Sequence, residues 1–316
     1  MASLKDYKKK LKSIRNTRKI TRTMEMVSAA KAKKTVDRVE ASTPYSVKLR
    51  ELMDSLSGGG SVDHWLVREA EKVERSALLV VTANRGLCGG YNTNVANLAE
   101  RWIRAEQAEG RAVAVSMIGK KGTARFRFRK IPVAKSYAHI DDRPSFRDAE
   151  ELADGFLRGF RDGEYQRVMV AVTRYQSAAT QRPALVQLLP IVPPAPQDGS
   201  VGAKAGGGAK AGGGAKAGGG AKAGGGARAG ATEFIFEPDP RRILEDLLPF
   251  SVKHALYRLL VEAAAGEQVH RRVAMKLATD NAAELIRFYT GKYNRERQAT
   301  ITQQIMEIVS GAEALG

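Results

Sequence analysis

The sequence predicts a mixed α+β and α/β protein, with long helices at both ends enclosing a middle of short strands and helices. Three observations carry this. Residues 2–57 contain no glycine, and Pro44 is their only proline. Residues 240–315 carry apolar helical spacing again, closing on Ile301, Ile305, Ile308, Ala312 and Leu315 at gaps of four, three, four and three, the seam of a coiled coil. Between these ends, short continuous apolar runs alternate with helical stretches, the pattern of buried strands in a largely parallel sheet.

The first helix starts on Leu4, Tyr7, Leu11 and Ile14, then drifts through Ile20, Met24 and Val27 into the small and polar Ser28, Ala29, Ala30 and Lys31. A permanent helical partner favours continuous apolar a and d positions, so this drift suggests a surface that meets several partners in turn. Helical periodicity sustained past about 25 residues argues for a shaft. At about 1.5 Å per residue, fifty-odd helical residues reach roughly 80 Å, beyond a small domain's diameter. Pro44 lacks an amide donor, so it either kinks the helix or relies on local compensation. Gly58, Gly59 and Gly60 end the run.

The middle offers four strand candidates: Ala77–Thr82, Ala112–Ile118, Val168–Thr173 and Leu185–Ile191, with helices over Val95–Ala108 and Phe146–Arg161. From Gly202 the unit GAKAGG repeats every six residues to Ala231, and residues 199–231 hold 15 of the chain's 31 glycines. Such a tract buries no apolar surface and is expected to be a flexible coil. The expected division is therefore 1–57, 75–195, 199–231 and 240–316.

The net charge of +18 is unevenly placed: residues 1–50 carry +11 and residues 199–231 carry +5. A basic helix of this kind suits nucleic acid or acidic protein surfaces. With no base-reading module, aromatic interleaving or zinc spacing, no nucleic-acid partner is assigned. The single cysteine, Cys88, excludes an internal disulfide and fits a reducing compartment. No apolar run approaches the 18 or so residues of a membrane span, and nothing resembles a cleavable signal.

Chemistry is sparse. Arg85-Gly86-Leu87-Cys88-Gly89-Gly90 follows the first strand, where glycines can let backbone amides approach a phosphate, but the spacing matches neither the dinucleotide nor the P-loop motif. Cys88 needs a histidine and an acid to become a nucleophile, and His64, His139, His254 and His270 show no motif. A tight turn around a buried thiol is the simpler reading. Asp141-Asp142 and Glu150-Glu151 suit loop and helix-start roles. Glu237-Pro238-Asp239-Pro240 forms a rigid acidic turn before the last helix. No catalytic, cofactor-binding or metal residues are assigned.

Three segments together resemble the gamma subunit of F-type rotary ATP synthases: Ile20–Lys31 (ITRTMEMVSAAK), Arg85–Asn92 (RGLCGGYN), and Tyr293–Thr302 (YNRERQATIT) continuing to Val309–Leu315 (VSGAEAL). Glu237–Pro240 and Ala278–Ala282 fit as well. The resemblance spans the chain except the glycine tract, and it implies an antiparallel coiled coil of the terminal helices beside a central Rossmann-like α/β domain. It further implies a non-catalytic central-stalk shaft in a proton-translocating complex. Its partners would be the alpha and beta nucleotide-binding subunits, the epsilon regulatory subunit and the membrane c-ring, peripheral to the cytoplasmic side of the cell inner membrane. By the same resemblance Met24, Arg297 and Gln298 face the catalytic sleeve, the basic first helix, Lys31 included, complements acidic loops there, and Glu237 lies at the foot. Two departures stand out: Gln304 replaces an acid usual in the family, and the GAKAGG insertion is atypical.

Overall fold

The computed structural model describes residues 4–56, 64–177, 179–191 and 240–313. In chain order the elements are α1 (Leu4–Leu56), β1 (Arg75–Val81), α2 (Tyr91–Ala108), β2 (Ala112–Ile118), α3 (Lys120–Phe128), β3 (Lys135–Tyr137), α4 (Phe146–Arg161), β4 (Arg167–Tyr175), β5 (Gln181–Leu189) and α5 (Pro240–Glu313). The strands form one sheet in the order β3-β2-β1-β4-β5. The first four are mutually parallel, and β5 runs antiparallel to β4 at the edge.

Burial on both faces explains why the central strands read as continuous apolar runs rather than alternating ones. On one face Leu78 and Val80 of β1, with Val115 and Met117 of β2, pack against Val95, Ala99 and Ile103 of α2 and Phe126 of α3. On the other, Leu79 and Val81 with Val168, Val170 and Val172 pack against Leu152 and Phe156 of α4 and Leu248, Leu256 and Leu260 of α5. The lower half of α5 is therefore a core helix of the sheet domain as well as a shaft helix. At Gly266 it comes close to the sheet: a Cβ there would lie 3.2 Å from the Thr173 methyl. The short strand β3 and the helix α3 were not legible as elements; β3 has only three residues, and α3 is dominated by arginine and lysine.

The two shaft helices run antiparallel. Tyr7 meets Tyr289 at 6.4 Å between ring centroids, Thr21 meets Thr279 hydroxyl to hydroxyl at 2.9 Å, and Val39 packs on Val261 and Ala265. Nearer the other end Tyr45 lies against His254, centroids 4.7 Å apart. Helix α1 passes through Pro44 without a break. Hydroxyls on the same turns donate to neighbouring carbonyls, Ser42 and Thr43 to Val39 and Ser46 to Ser42.

Two details of the sequence reading change. Ser28, Ala32 and Thr35 are buried along α1 while Ala30 is exposed, so one side of the small and polar stretch packs inside the chain and the other faces outward. Small side chains let two helices approach closely, and Thr35 satisfies its own hydroxyl on the Lys31 carbonyl. The terminal seam, by contrast, has no partner among the described residues. Because Tyr7 already lies opposite Tyr289, α1 begins too late to cover the end of α5, and every residue from Ile301 to Gly311 is exposed. Ile308 is 72% exposed. The GAKAGG tract and Glu237 lie outside the described residues.

Candidate functional site at the junction of sheet and shaft

In open α/β sheets the crevice beyond the carboxyl ends of the parallel strands is the customary ligand position, at the point where strand order reverses. Here that point lies between β1 and β4, and α5 fills it. Leu260, Ala263, Ala264 and Glu267 of α5 close over Val81, Thr82, Ile118 and Ile140. The cavity left is about 20 Å³, room for one water molecule.

The glycine turn after β1 is part of this closure. Arg271 of α5 donates to the carbonyl oxygens of Arg85 (3.5 Å) and Gly86 (3.4 Å) and pairs with Glu267 at 2.7 Å. Gly89 is in the left-handed region (φ 56°), and a Cβ there would lie 3.8 Å from the Ala274 methyl. Its glycines therefore bring backbone up to a helix. Cys88 is buried and receives the Asn92 amide on its sulfur at 3.1 Å, and burial pushes its thiol above the ordinary range. A raised thiol is a poor nucleophile. His270 packs on Tyr91 and His254 on Tyr45, and burial holds both imidazoles below their ordinary pKa.

The second glycine turn, between β2 and α3, is equally occupied. Gly119 has φ 94°, and a Cβ there would lie 2.2 Å from the Thr82 carbonyl oxygen. The following backbone amides donate inward: Lys120 to Asn84 Oδ1 at 3.0 Å, Lys121 to the Ala83 carbonyl at 3.2 Å, and Gly122 to Thr82 Oγ1 at 3.1 Å. Donors that a phosphate would require are already paired with protein.

Ionic ties hold the domain to both helices. Asp142 accepts from Lys31 Nζ of α1 at 2.6 Å and from Gln268 Nε2 of α5 at 3.2 Å. Arg38 of α1 donates to the Pro144 carbonyl at 3.2 Å. Glu262 of α5, fully buried, takes Arg174 of β4 at 2.5 Å and Arg258 at 3.1 Å. Lys253 bridges Glu150 and Asp154 of α4, each at 2.9 Å. Burial raises the Glu267 carboxyl, and the Arg271 guanidinium restrains that rise.

The candidate contact residues do not converge. Met24 is half-buried on α1, while Lys31 is turned onto Asp142 and so ties the chain to itself. Arg297 and Gln298 are exposed on the stretch of α5 beyond α1. Arg271, Glu262 and Arg174 carry no sequence signal, because each reads as an ordinary charged residue until folding supplies its partner, and Asp142 reads only as one of a pair of loop carboxylates. Among the described residues no group of histidine, cysteine and carboxylates could hold a metal, and no helix is long and apolar enough to cross a membrane.

The architecture defines a class: a two-helix shaft, unequal at one end, with an α/β domain clamped to its side. The family model described as ATP synthase matches residues 3–315. An ATP synthase gamma chain from Leptospira biflexa is 40% identical over the whole of both chains, and one from Gemmatimonas aurantiaca is 40% identical over all of this chain and 99% of its own. Among solved structures, a chain in the OSCP/F1/c-ring assembly of Euglena gracilis mitochondrial ATP synthase superposes with a TM-score of 0.62 at 18% identity, covering 99% of this chain and 94% of that one. The chain belongs to the ATP synthase gamma chain family.

Proposed function

We propose that this chain is the central-stalk rotor shaft of a proton-translocating ATP synthase and has no catalytic duty of its own. The observation that carries the reading is the unequal shaft: α5 outruns α1 and presents Ile301, Ile305, Ile308 and Val309 to solvent on a single helix. An exposed apolar helix end on a soluble fold calls for a surrounding partner. In this reading the alpha and beta subunits form that sleeve, and the α/β domain sits toward the c-ring and the epsilon subunit. Rotation presents a different shaft face to each catalytic subunit, and a shaft biases a partner's conformation only through such differential contacts. Met24, Arg297 and Gln298 are the proposed sleeve contacts and Glu237 the foot contact. The complex is membrane-associated, and the chain is placed on the cytoplasmic face of the inner membrane.

Reconstitution tests this. The purified chain alone should hydrolyse no ATP, and adding it to alpha and beta subunits should yield an assembled, rotating ATPase. Failure to assemble with them overturns the proposal.

A further inference from the structure

Residues 111–140 hold eight lysines and arginines and no acid, and neither the shaft nor the junction uses most of them. Helix α3 buries Gly122 and Phe126. Its other side presents Lys120, Ala124, Arg127 and Phe128, all exposed at helical spacing. Phe128 is 85% exposed, the highest value among the exposed large apolar side chains of the described residues. Arg129 and Lys130 follow directly, Lys130 in the left-handed region (φ 57°). Among the described residues the side chains of Arg127, Arg129 and Lys130 make no hydrogen bond or ion pair.

We propose that this face of α3 is a docking surface for an acidic segment of another polypeptide. Carboxylates of that segment pair with Arg127 and Arg129, and an apolar side chain between them covers the Phe128 ring. One turn earlier the same helix already binds a carboxylate in this way: Arg125 Nε holds Glu100 at 2.8 Å while its terminal nitrogen holds Asn97 at 2.5 Å. The choice of arginine matters, because its planar fork matches a carboxylate bidentately where lysine offers a point charge. An aromatic ring ringed by arginine is also the composition of protein interface anchors. A bilayer-binding helix needs a broad apolar face, and here a single ring stands alone. The chain's own residues 199–231, with five basic residues and no acid, have the wrong charge to fold over this surface. Because α3 leaves the carboxyl end of β2 and runs back along the sheet, its tip points away from the shaft junction, and a partner can reach it without disturbing the clamp.

The test places the photo-cross-linker p-benzoylphenylalanine at position 128 in the assembled ATP synthase complex. Failure of the chain to assemble speaks against the rotor reading; assembly speaks for it and leaves this surface to be judged by the cross-link. A cross-link to an acid-rich peptide segment, reduced roughly tenfold by Arg127→Glu with Arg129→Glu, is the expected result. The Arg127→Gln and Arg129→Gln pair, with an unchanged melting temperature, repeats the comparison without charge reversal. Assembly without a cross-link, a cross-link to a neutral or basic segment, or a yield indifferent to both arginines overturns the proposal. So does Phe128-dependent sedimentation of the chain with phosphatidylglycerol vesicles in the absence of a peptide cross-link.

Discussion

Lys31 and Asp142, 111 residues apart, meet at 2.6 Å between Nζ and Oδ2, and the same carboxylate oxygen also accepts from Gln268. One loop side chain thus grips both helices of the shaft. Lys31 retains a third of its side-chain exposure and Asp142 about a sixth, so the pair is neither a free surface bridge nor a dry buried one. Removing the acid leaves the partly exposed Lys31 ammonium and the buried Gln268 amide without this acceptor, which costs about 1–3 kcal/mol. Asp142→Ala should therefore lower the urea midpoint of the isolated chain and speed amide exchange in residues 138–145. A Lys31→Ala, Asp142→Ala cycle with zero coupling would show that the contact carries no stability.

Gly266 sets the distance between α5 and the sheet. Gly266→Val places methyl groups where Thr173 and Tyr91 already stand, and overpacking of this kind costs about 1–3 kcal/mol. Thermal unfolding should report that loss, and pairing the change with Thr173→Ala should recover part of it. Equal losses in the single and double variants would contradict the steric account.

Two histidines of α5 should make the fold acid-sensitive. Burial holds His254 and His270 below their ordinary pKa of 6.5, so the native state favours neutral imidazole. A depressed folded pKa contributes stability that is full above about pH 6.5 and is lost as the pH falls through the folded values. The melting temperature should drop between pH 7 and pH 5, and His254→Gln with His270→Gln should flatten that drop. An unaltered pH profile in the double variant would assign the effect to other groups.

The end of α5 should separate folding from assembly. Ile305 is 55% exposed in the chain alone, so Ile305→Ser should change its unfolding free energy by no more than about 0.5 kcal/mol. Assembly with alpha and beta subunits should weaken by a margin gel filtration resolves. Arg297→Ala and Gln298→Ala belong to the same comparison. Intact assembly in all three would remove this stretch from the interface.

The GAKAGG tract gives a further test. Deleting residues 202–230 should preserve assembly and leave the melting temperature unchanged, since glycine-rich sequence has little apolar surface to bury. Loss of assembly would assign the tract a contact.

Much of this architecture was readable from residue order, and the reasons are local. The absence of glycine over residues 2–57 permits one long helix, and continuous valine and leucine runs such as Ala77–Thr82 mark strands covered on both faces. Element type follows from such periodicity because backbone sterics and side-chain spacing act over a few residues. The candidate contacts were read less directly: Met24, Arg297 and Gln298 rest on motif resemblance, and folding alone turned Lys31 onto Asp142. The glycine turn reads from residue order as a tight turn around a buried thiol, but the partner that its carbonyls meet, Arg271 of α5, comes only from the fold.

By itself, then, the sequence determined two shaft-length helices, a largely parallel sheet between them, and motifs specific enough to indicate a family. Tertiary structure decided the register of the shaft, and with it which apolar seam is covered and which stands free. It also decided that α5 fills the crevice where an α/β sheet would hold a ligand. The physical reason is separation along the chain. Thr21 and Thr279, or Lys31 and Asp142, share no local pattern, and only the simultaneous packing of both helices against one sheet brings them within hydrogen-bonding distance.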